Sequence, residues 1–342
     1  TIVIDEIQML EDHDRGHRLD GLIARLKHLA PQAQFLYLSA TIGVPHLLAK
    51  KLRADLVEYA ERPVPLERHL LFVERLKKIS YIKQLVDEEF QHRSSKGYRG
   101  QTIIFTNSRA RCHTIADALG KRAAAYHAGL TAQERREVEN KFASGKLAAV
   151  VTTAALGAGV DFPASQVIFD ALAMGIEWLS VQEFHQMAGR SGRPDFHDLG
   201  KVVILAEPGG SYSRTSSQTE EDVAIRLLKG EMEEVAPVYD LEQSSEEFVA
   251  NAVVCGGDER LLGVVNGQMV GELEPVLPTL LDYRLVRRTK GRIELTDMSR
   301  VMAEHFIGVE RLLEIQQLIR KVKEPIGIVA ELDCVEAAIP GS

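Results

Sequence analysis

The feature that most constrains this chain is a rhythm of short apolar runs separated by amphipathic stretches. QTIIFT, AAAYH, AAVVTT, QVIF and GKVVILAE follow one another; Lys77 to His92, an amphipathic stretch, precedes the first, and the helical stretches Ser108 to Leu119 and Ala132 to Ala143 lie between the earlier ones. A run that is apolar at nearly every position has no face to give to water, so it predicts a strand buried on both sides. Such strands alternating with helices predict an α/β fold with a parallel sheet covered on both faces. LLFVE is expected to open this set.

Upstream, TIVI reads as another short strand with Asp5 and Glu6 at its end, the place where parallel sheets gather ligand-binding groups. LDGLIARLKHLA has helical spacing, and QFLYLSAT reads as a second strand ending in Ser39, Ala40 and Thr41. Pro63 and Pro65 suit a linker, since neither continues a helix or sits in a central strand. The chain starts with Thr1 inside an apolar run, as expected of a chain cut in mid-domain. Downstream, Gly209 to Asp222 is polar without a period and is expected to be an exposed loop. Past Pro237 short helices lead to LVRRTKGRIELT, a hairpin signal around Lys290 and Gly291. From Ser299 to Lys323 helical patterning returns, with Val309, Leu312, Leu313, Leu318, Ile319 and Val322 as a core stripe.

Hydrophobic residues make up 45% and charged residues 26% of the chain, as in ordinary globular proteins. A net charge of -8 excludes a uniformly basic coat, so a polyanion would need a local groove of Lys and Arg. Cys112, Cys255 and Cys334 form no CxxC pair, which speaks against a disulfide frame or a cysteine zinc site and fits a reducing cytoplasm. No run suits a membrane span.

QMAGRSGRP sets Arg190 and Arg193 three positions apart, preceded by Gly189 and Gly192. Guanidinium forks suit phosphate oxygens, and glycine lets backbone and ligand come close. Alone the segment is weak evidence; in company it is not. VIDEIQ, SAT, TIIFTNSR, VVTTAALGAGVDFP and QMAGRSGRP occur in the order of helicase motifs II to VI. With them the chain resembles a superfamily 2 DExH-box helicase of the superkiller-like branch, which includes archaeal DNA-repair helicases and exosome-associated RNA helicases.

The resemblance implies the carboxyl-terminal half of a first RecA-like domain (1-62), a complete second RecA-like domain (63-236), a winged-helix-like domain (237-298) and the start of a helical domain (299-342). It implies an ATP-dependent helicase or translocase moving 3′ to 5′ on single-stranded or partly duplex DNA or RNA. Asp5 would hold Mg²⁺ and Glu6 would position the attacking water. Arg190 and Arg193 would reach the γ-phosphate, with Gln186 beside them; Gly159 and Asp161 would lie near the nucleotide. Gln8 stands where the family often has His and could hydrogen-bond across the cleft, and Asp161 where it often has Asn. Ser39 and Thr41 would couple the domains. Thr106, Asn107, Ser108 and Arg109 would hold a nucleic-acid phosphate, or Asn107 or Ser108 would simply cap a helix. Thr153 suits a second phosphate, and His127 suits either the strand or a structural role. Trp178 is read as a base-stacking wedge beside a tight turn at Gly175 or as a buried anchor, the anchor being preferred.

No GxxxxGK[ST] loop occurs in these residues, although the family places one before motif II. The residues alone are therefore expected to be inactive. The rival expectation is a silent nucleic-acid-binding or scaffold chain. A monomer in the cytoplasm is expected in either case.

Overall fold

In chain order the protein begins with β1 (Ile2–Ile4), α1 (Gly16–Leu29), β2 (Phe35–Tyr37) and α2 (Pro45–Leu52). The next set is β3 (Leu66–Phe72), α3 (Lys78–Gln91), β4 (Thr102–Phe105), α4 (Arg109–Leu119), β5 (Ala123–Tyr126), α5 (Ala132–Ala143) and β6 (Ala149–Thr152). It continues through β7 (Gln166–Phe169), β8 (Ala173–Met174), β9 (Glu177–Trp178), α6 (Val181–Ala188), β10 (Gly200–Ala206) and α7 (Glu220–Lys229). The last set is β11 (Val238–Tyr239), α8 (Leu241–Val254), α9 (Glu259–Asn266), β12 (Glu272–Leu273), α10 (Leu277–Asp282), β13 (Val286–Thr289), β14 (Arg292–Leu295), α11 (Asp297–His305) and α12 (Val309–Lys321). The computed structural model describes residues 1–39, 42–59, 62–153, 162–175, 177–212, 217–230, 235–322, 324–327 and 329. Thr1–Leu56 with Glu233–Ser342 form one unit and Val57–Met232 the other.

The Val57–Met232 unit is built on a six-stranded, wholly parallel sheet in the order β3-β10-β7-β4-β6-β5. Alternate side chains divide between two cores, as the pleat requires. Phe105, Val167, Phe169 and Ile204 pack with Phe142 of α5, Phe184 of α6 and Leu227 of α7. Ile104, Val151, Ile168 and Leu205 pack on the opposite face with Ile82 and Phe90 of α3 and Ile115 of α4. Phe105, Phe142, Phe169 and Phe184 are fully buried. Burial of each is worth about 1.5–3 kcal/mol, so the strands need no propensity beyond this packing.

Three expectations are corrected here. β3 starts at Leu66 rather than Leu70, because an edge strand tolerates the exposed Glu67, Arg68 and His69. The stretch from Gly209 to Asp222 is not loop to its end: Thr219 and Asp222 form a reciprocal capping box that starts α7 at Glu220. The stretch after Ser299 is two helices, broken at Phe306 with φ 50. Its stripe is buried at Val309 and Leu312, while Ile319 is exposed.

In the other unit β1 and β2 pair in parallel, and α1 lies against α8. The buried Asp20 of α1 accepts hydrogen bonds from Tyr239 Oη (2.9 Å), Val270 N (2.9 Å) and Gly271 N (2.8 Å). Those three donors hold a carboxylate whose pKa burial raises. The hairpin turns as its sequence predicts: Thr289 pairs with Arg292, and Lys290 and Gly291 both have positive φ.

Candidate functional site

The acid pair follows directly from the β1–β2 pairing. Leu38 N donates to Ile4 O and Ile7 N donates to Leu38 O, both at 2.9 Å, so Asp5 and Glu6 bridge two anchored positions and stay exposed. Glu6 takes φ 54 and ψ 48, a left-handed conformation costly for a residue with a Cβ. Its amide donates to Asp5 Oδ1 at 2.9 Å. Gln8 is buried, donates from Nε2 to Glu6 Oε2, and accepts at Oε1 from Ser39 Oγ. Both ends of its amide are thus engaged within one unit, where the sequence suggested a bond across a cleft. Ser39, expected to couple domains, meets the acid pair through Gln8. Two exposed carboxylates at a strand end are the hard oxygen donors Mg²⁺ takes, so the residues fit that ion.

A second group forms at the carboxyl edge of the six-stranded sheet. Phe105 lies opposite Thr152 and Phe169, and Thr152 opposite Tyr126. Thr106, His127, Thr153 and Asp170, one residue further on, therefore come out at one edge. Thr106 is fully buried and its hydroxyl donates to Asp170 Oδ2 at 2.8 Å, which turns it inward rather than toward a ligand. Asn107, Ser108 and Arg109 are exposed at the start of α4, and Ser108 Oγ caps that helix by accepting from Arg111 N at 3.2 Å. Lys78 Nζ donates to Asp170 O at 2.8 Å and Glu220 Oε2 at 3.0 Å, tying the edge to α3 and α7.

His127 is buried, and its Nε2 lies 2.9 Å from His113 Nε2, so one ring donates while the other accepts. Burial lowers the His127 pKa, with the His113 and Arg109 charges adding to it. A Cβ at Gly129 would lie 3.2 Å from His127 Nδ1 and 3.3 Å from Arg109 Nη1, which puts those two side chains beside each other. Thr153 is half-buried at the same edge.

The arginine segment lies at the opposite, amino edge. Ser191 is buried; its hydroxyl donates to Ser165 O (2.8 Å) and Lys201 O (3.0 Å), beside the first residues of β7 and β10. Gly192 has φ 77, and a Cβ there would lie 2.9 Å from Val64 Cγ1 and 3.0 Å from Gly200 Cα. Its freedom serves this packing against the sheet, a role that the sequence reading did not include. Arg62 Nη2 donates to Gly189 O at 3.1 Å and to Ser191 O, bracing the loop. Burial, then the Arg68 and Arg193 charges, lower the Arg62 pKa, so three guanidinium groups share this edge. Arg190 and Arg193 are half-buried and Gln186 is exposed on α6. Arg193 N donates to His197 Nδ1 at 3.2 Å, fixing the loop after Gly192.

β8 and β9 form the expected tight hairpin, with Gly175 at φ 72. Trp178 is half-buried against the aromatic core and meets Tyr212 edge-on, with ring centroids 4.8 Å apart. Thr41, Gly159 and Asp161 lie outside the described residues. Sequence reasoning missed Asp170, Arg111, Lys78 and Arg62. The only available signal was Asp170 standing immediately after an apolar strand, as Asp5 does.

Residues 77–195 match the family model of the helicase conserved C-terminal domain. The probable ATP-dependent helicase MJ1401 of Methanocaldococcus jannaschii is 42% identical over 97% of this chain. The ATP-dependent DNA helicase Hel308 of Pyrobaculum calidifontis is 28% identical over 94% of it. The chain spans 42% and 54% of the lengths of these two relatives. Among solved structures, Mycobacterium smegmatis helicase Lhr bound to ssDNA and AMP-PNP aligns with a TM-score of 0.58 over 88% of this chain and 42% of its own, at 18% identity. The DUF1998 helicase MrfA bound to DNA aligns at 0.54 over 86% of this chain and 40% of its own, at 21% identity. Those two likenesses concern the fold. Residues 77–195 thus carry a helicase C-terminal domain, and the chain is similar in sequence to archaeal ATP-dependent helicases.

Proposed function

We propose that the protein is an ATP-driven helicase or translocase that moves 3′ to 5′ along a single strand, DNA in preference to RNA, as a cytoplasmic monomer. The observation that carries the reading is the acid pair: exposed Asp5 and Glu6 follow a paired strand, Glu6 is held in a left-handed conformation, and Gln8 links it to Ser39. Such strain is maintained where an acid must be aimed. When bound, Mg²⁺ would be held by Asp5 and would neutralise phosphate charge. Glu6 orients the attacking water, and Gln8 passes the state of Glu6 to the Ser39 turn. Arg190 and Arg193 stabilise the charge that develops on the transferred phosphoryl group.

The carboxyl edge is the strand-binding face in this reading. Asn107, Ser108 and Arg109, with the amides at the start of α4, suit backbone phosphates, which implies salt-sensitive binding with little base specificity. His127 and Thr153 stand at the same edge. Thr106 supports that face through Asp170 rather than by direct contact. α9 to α11 around the β13–β14 hairpin have the makeup of a winged helix.

The test is ATPase of the full-length gene product with single-stranded DNA and with RNA. Arg193→Ala should lower DNA-stimulated turnover by ~10³ or more while leaving strand binding nearly intact. Loss of strand binding instead would mean that the arginines serve another ligand, and equal stimulation by RNA would remove the DNA preference. No strand-stimulated ATPase at all would favour the scaffold role.

A further inference from the structure

A second cluster of ligating groups lies away from the acid pair, between α1 and α8. His17 of α1 and the neighbouring Glu246 and Glu247 of α8 each offer a ligand atom, and these atoms lie within 4.8 Å of one another. The His17 and Glu246 side chains are 4% and 5% exposed, and that of Glu247 is 0% exposed. Among the described residues neither ring nitrogen of His17 makes a hydrogen bond, and Glu247 Oε1 makes none. His17 Nδ1 and Glu247 Oε1, buried without a hydrogen bond among the described residues, each leave a desolvation cost of about 1–3 kcal/mol.

We propose that His17, Glu246 and Glu247 bind one divalent first-row transition-metal ion, of the zinc class, that ties α1 to α8. His17 Nε2 lies 3.3 Å from Glu246 Oε1. Two ligands on one tetrahedral ion, with bonds of about 2.0–2.1 Å, stand roughly 3.3 Å apart. Both carboxylates are already oriented, Glu247 through the oxygen away from its unbonded Oε1, and Glu246 through both oxygens, including the Oε1 that faces His17. Arg18 donates to Glu246 from Nε (2.6 Å) and Nη2 (3.2 Å), and Arg25 Nη1 donates to Glu247 Oε2 at 2.6 Å. Such outer-shell bonds fix the direction of ligating groups.

One imidazole with two carboxylates suits zinc and its neighbours better than magnesium or calcium, which take oxygen alone. The two arginines offset the carboxylate charge, so micromolar rather than nanomolar affinity is expected. Arg18 is 48% exposed, which weakens its part of that offset. The role is structural: α1 follows the acid pair in sequence, and the ion would hold it where α8 packs.

The experiment uses the whole chain, stripped with a chelator and then equilibrated with zinc in excess magnesium, so that oxygen-donor sites are already filled. Bound zinc is read by elemental analysis and melting by calorimetry. One zinc per chain and a rise of about 5 °C in Tm are expected, both lost in His17→Gln and in Glu247→Gln. Zinc retained equally by both variants, or no zinc and no shift in the wild type, would overturn the site. If the variants do not fold, cobalt(II) in the wild-type chain decides: visible bands of a nitrogen and oxygen site support it, and a sulfur charge-transfer band moves the ion to a cysteine. This outcome is independent of the helicase reading, because it requires neither ATP nor a nucleic-acid strand.

Discussion

Arg111 closes a fork on Asp170: Nε donates to Oδ2 at 3.0 Å and Nη2 to Oδ1 at 2.9 Å. Asp170 is 4% exposed in its side chain, so the pair stands in low dielectric at the end of β7. It holds the first turn of α4, which begins at Arg109 directly after Asn107 and Ser108, against the sheet.

Arg111→Ala should therefore destabilise the Val57–Met232 unit by about 3 kcal/mol, since it leaves a buried carboxylate with the Thr106 hydroxyl as its remaining side-chain hydrogen-bond donor. Denaturant unfolding measures this. A loss below about 1 kcal/mol would mean that water replaces the guanidinium and that the fork is not structural.

Gln8 offers a sharper test of coupling. Gln8→Met keeps the volume but removes the donor to Glu6 and the acceptor from Ser39. Strand-stimulated ATPase turnover of the full-length gene product should fall ~10-fold, the equivalent of about 1.4 kcal/mol, with strand affinity unchanged. Unchanged turnover would show that Glu6 keeps its position without the amide.

The inner strands β4, β6, β7 and β10 were legible because each is apolar at nearly every position and buried on both faces, a pattern with few other solutions. Ala132 to Ala143 was legible to the residue because Thr131 and Glu134 form a capping box. What escaped depends on partners distant in sequence. Asp170 after an apolar strand reads as a solvated turn until Arg111 is seen to reach it. The polar start of β3 reads as linker until its place at a sheet edge is known. His17 drew no attention in the sequence, because nothing local announces Glu246 and Glu247. Among candidate site residues, the exposed place of Asp5 and Glu6 at a strand end could be read, whereas the inward turn of Thr106 could not.

Gly192 and Gly175 form a controlled pair. Both have positive φ, but a Cβ at Gly192 meets Val64 and Gly200, while one at Gly175 meets nothing within 4 Å among the described residues. Gly175→Ala should cost roughly 1 kcal/mol from the backbone alone, and Gly192→Ala at least about 2 kcal/mol. Equal losses in denaturant unfolding would remove packing from the explanation.

Three histidines of the Val57–Met232 unit, His127, His185 and His197, have pKa values lowered chiefly by burial. The unfolded chain takes up these protons near the ordinary value of about 6.5, and the folded unit only at lower pH. Between those values the unfolded state binds more protons, so stability is full above about pH 6.5 and falls as pH drops through the window. The Arg193 loop feels this directly, because His197 Nδ1 accepts the Arg193 amide and a proton there removes the acceptor. Amide exchange across residues 77–195, followed from about pH 7.5 to 5.5 and corrected for intrinsic rates, should show protection falling throughout, with Arg193 losing it first. His197→Asn should flatten the profile at Arg193 and leave the His127 side of the sheet unchanged. Protection at Arg193 that is independent of pH would show that His197 stays neutral throughout and that another contact holds the loop.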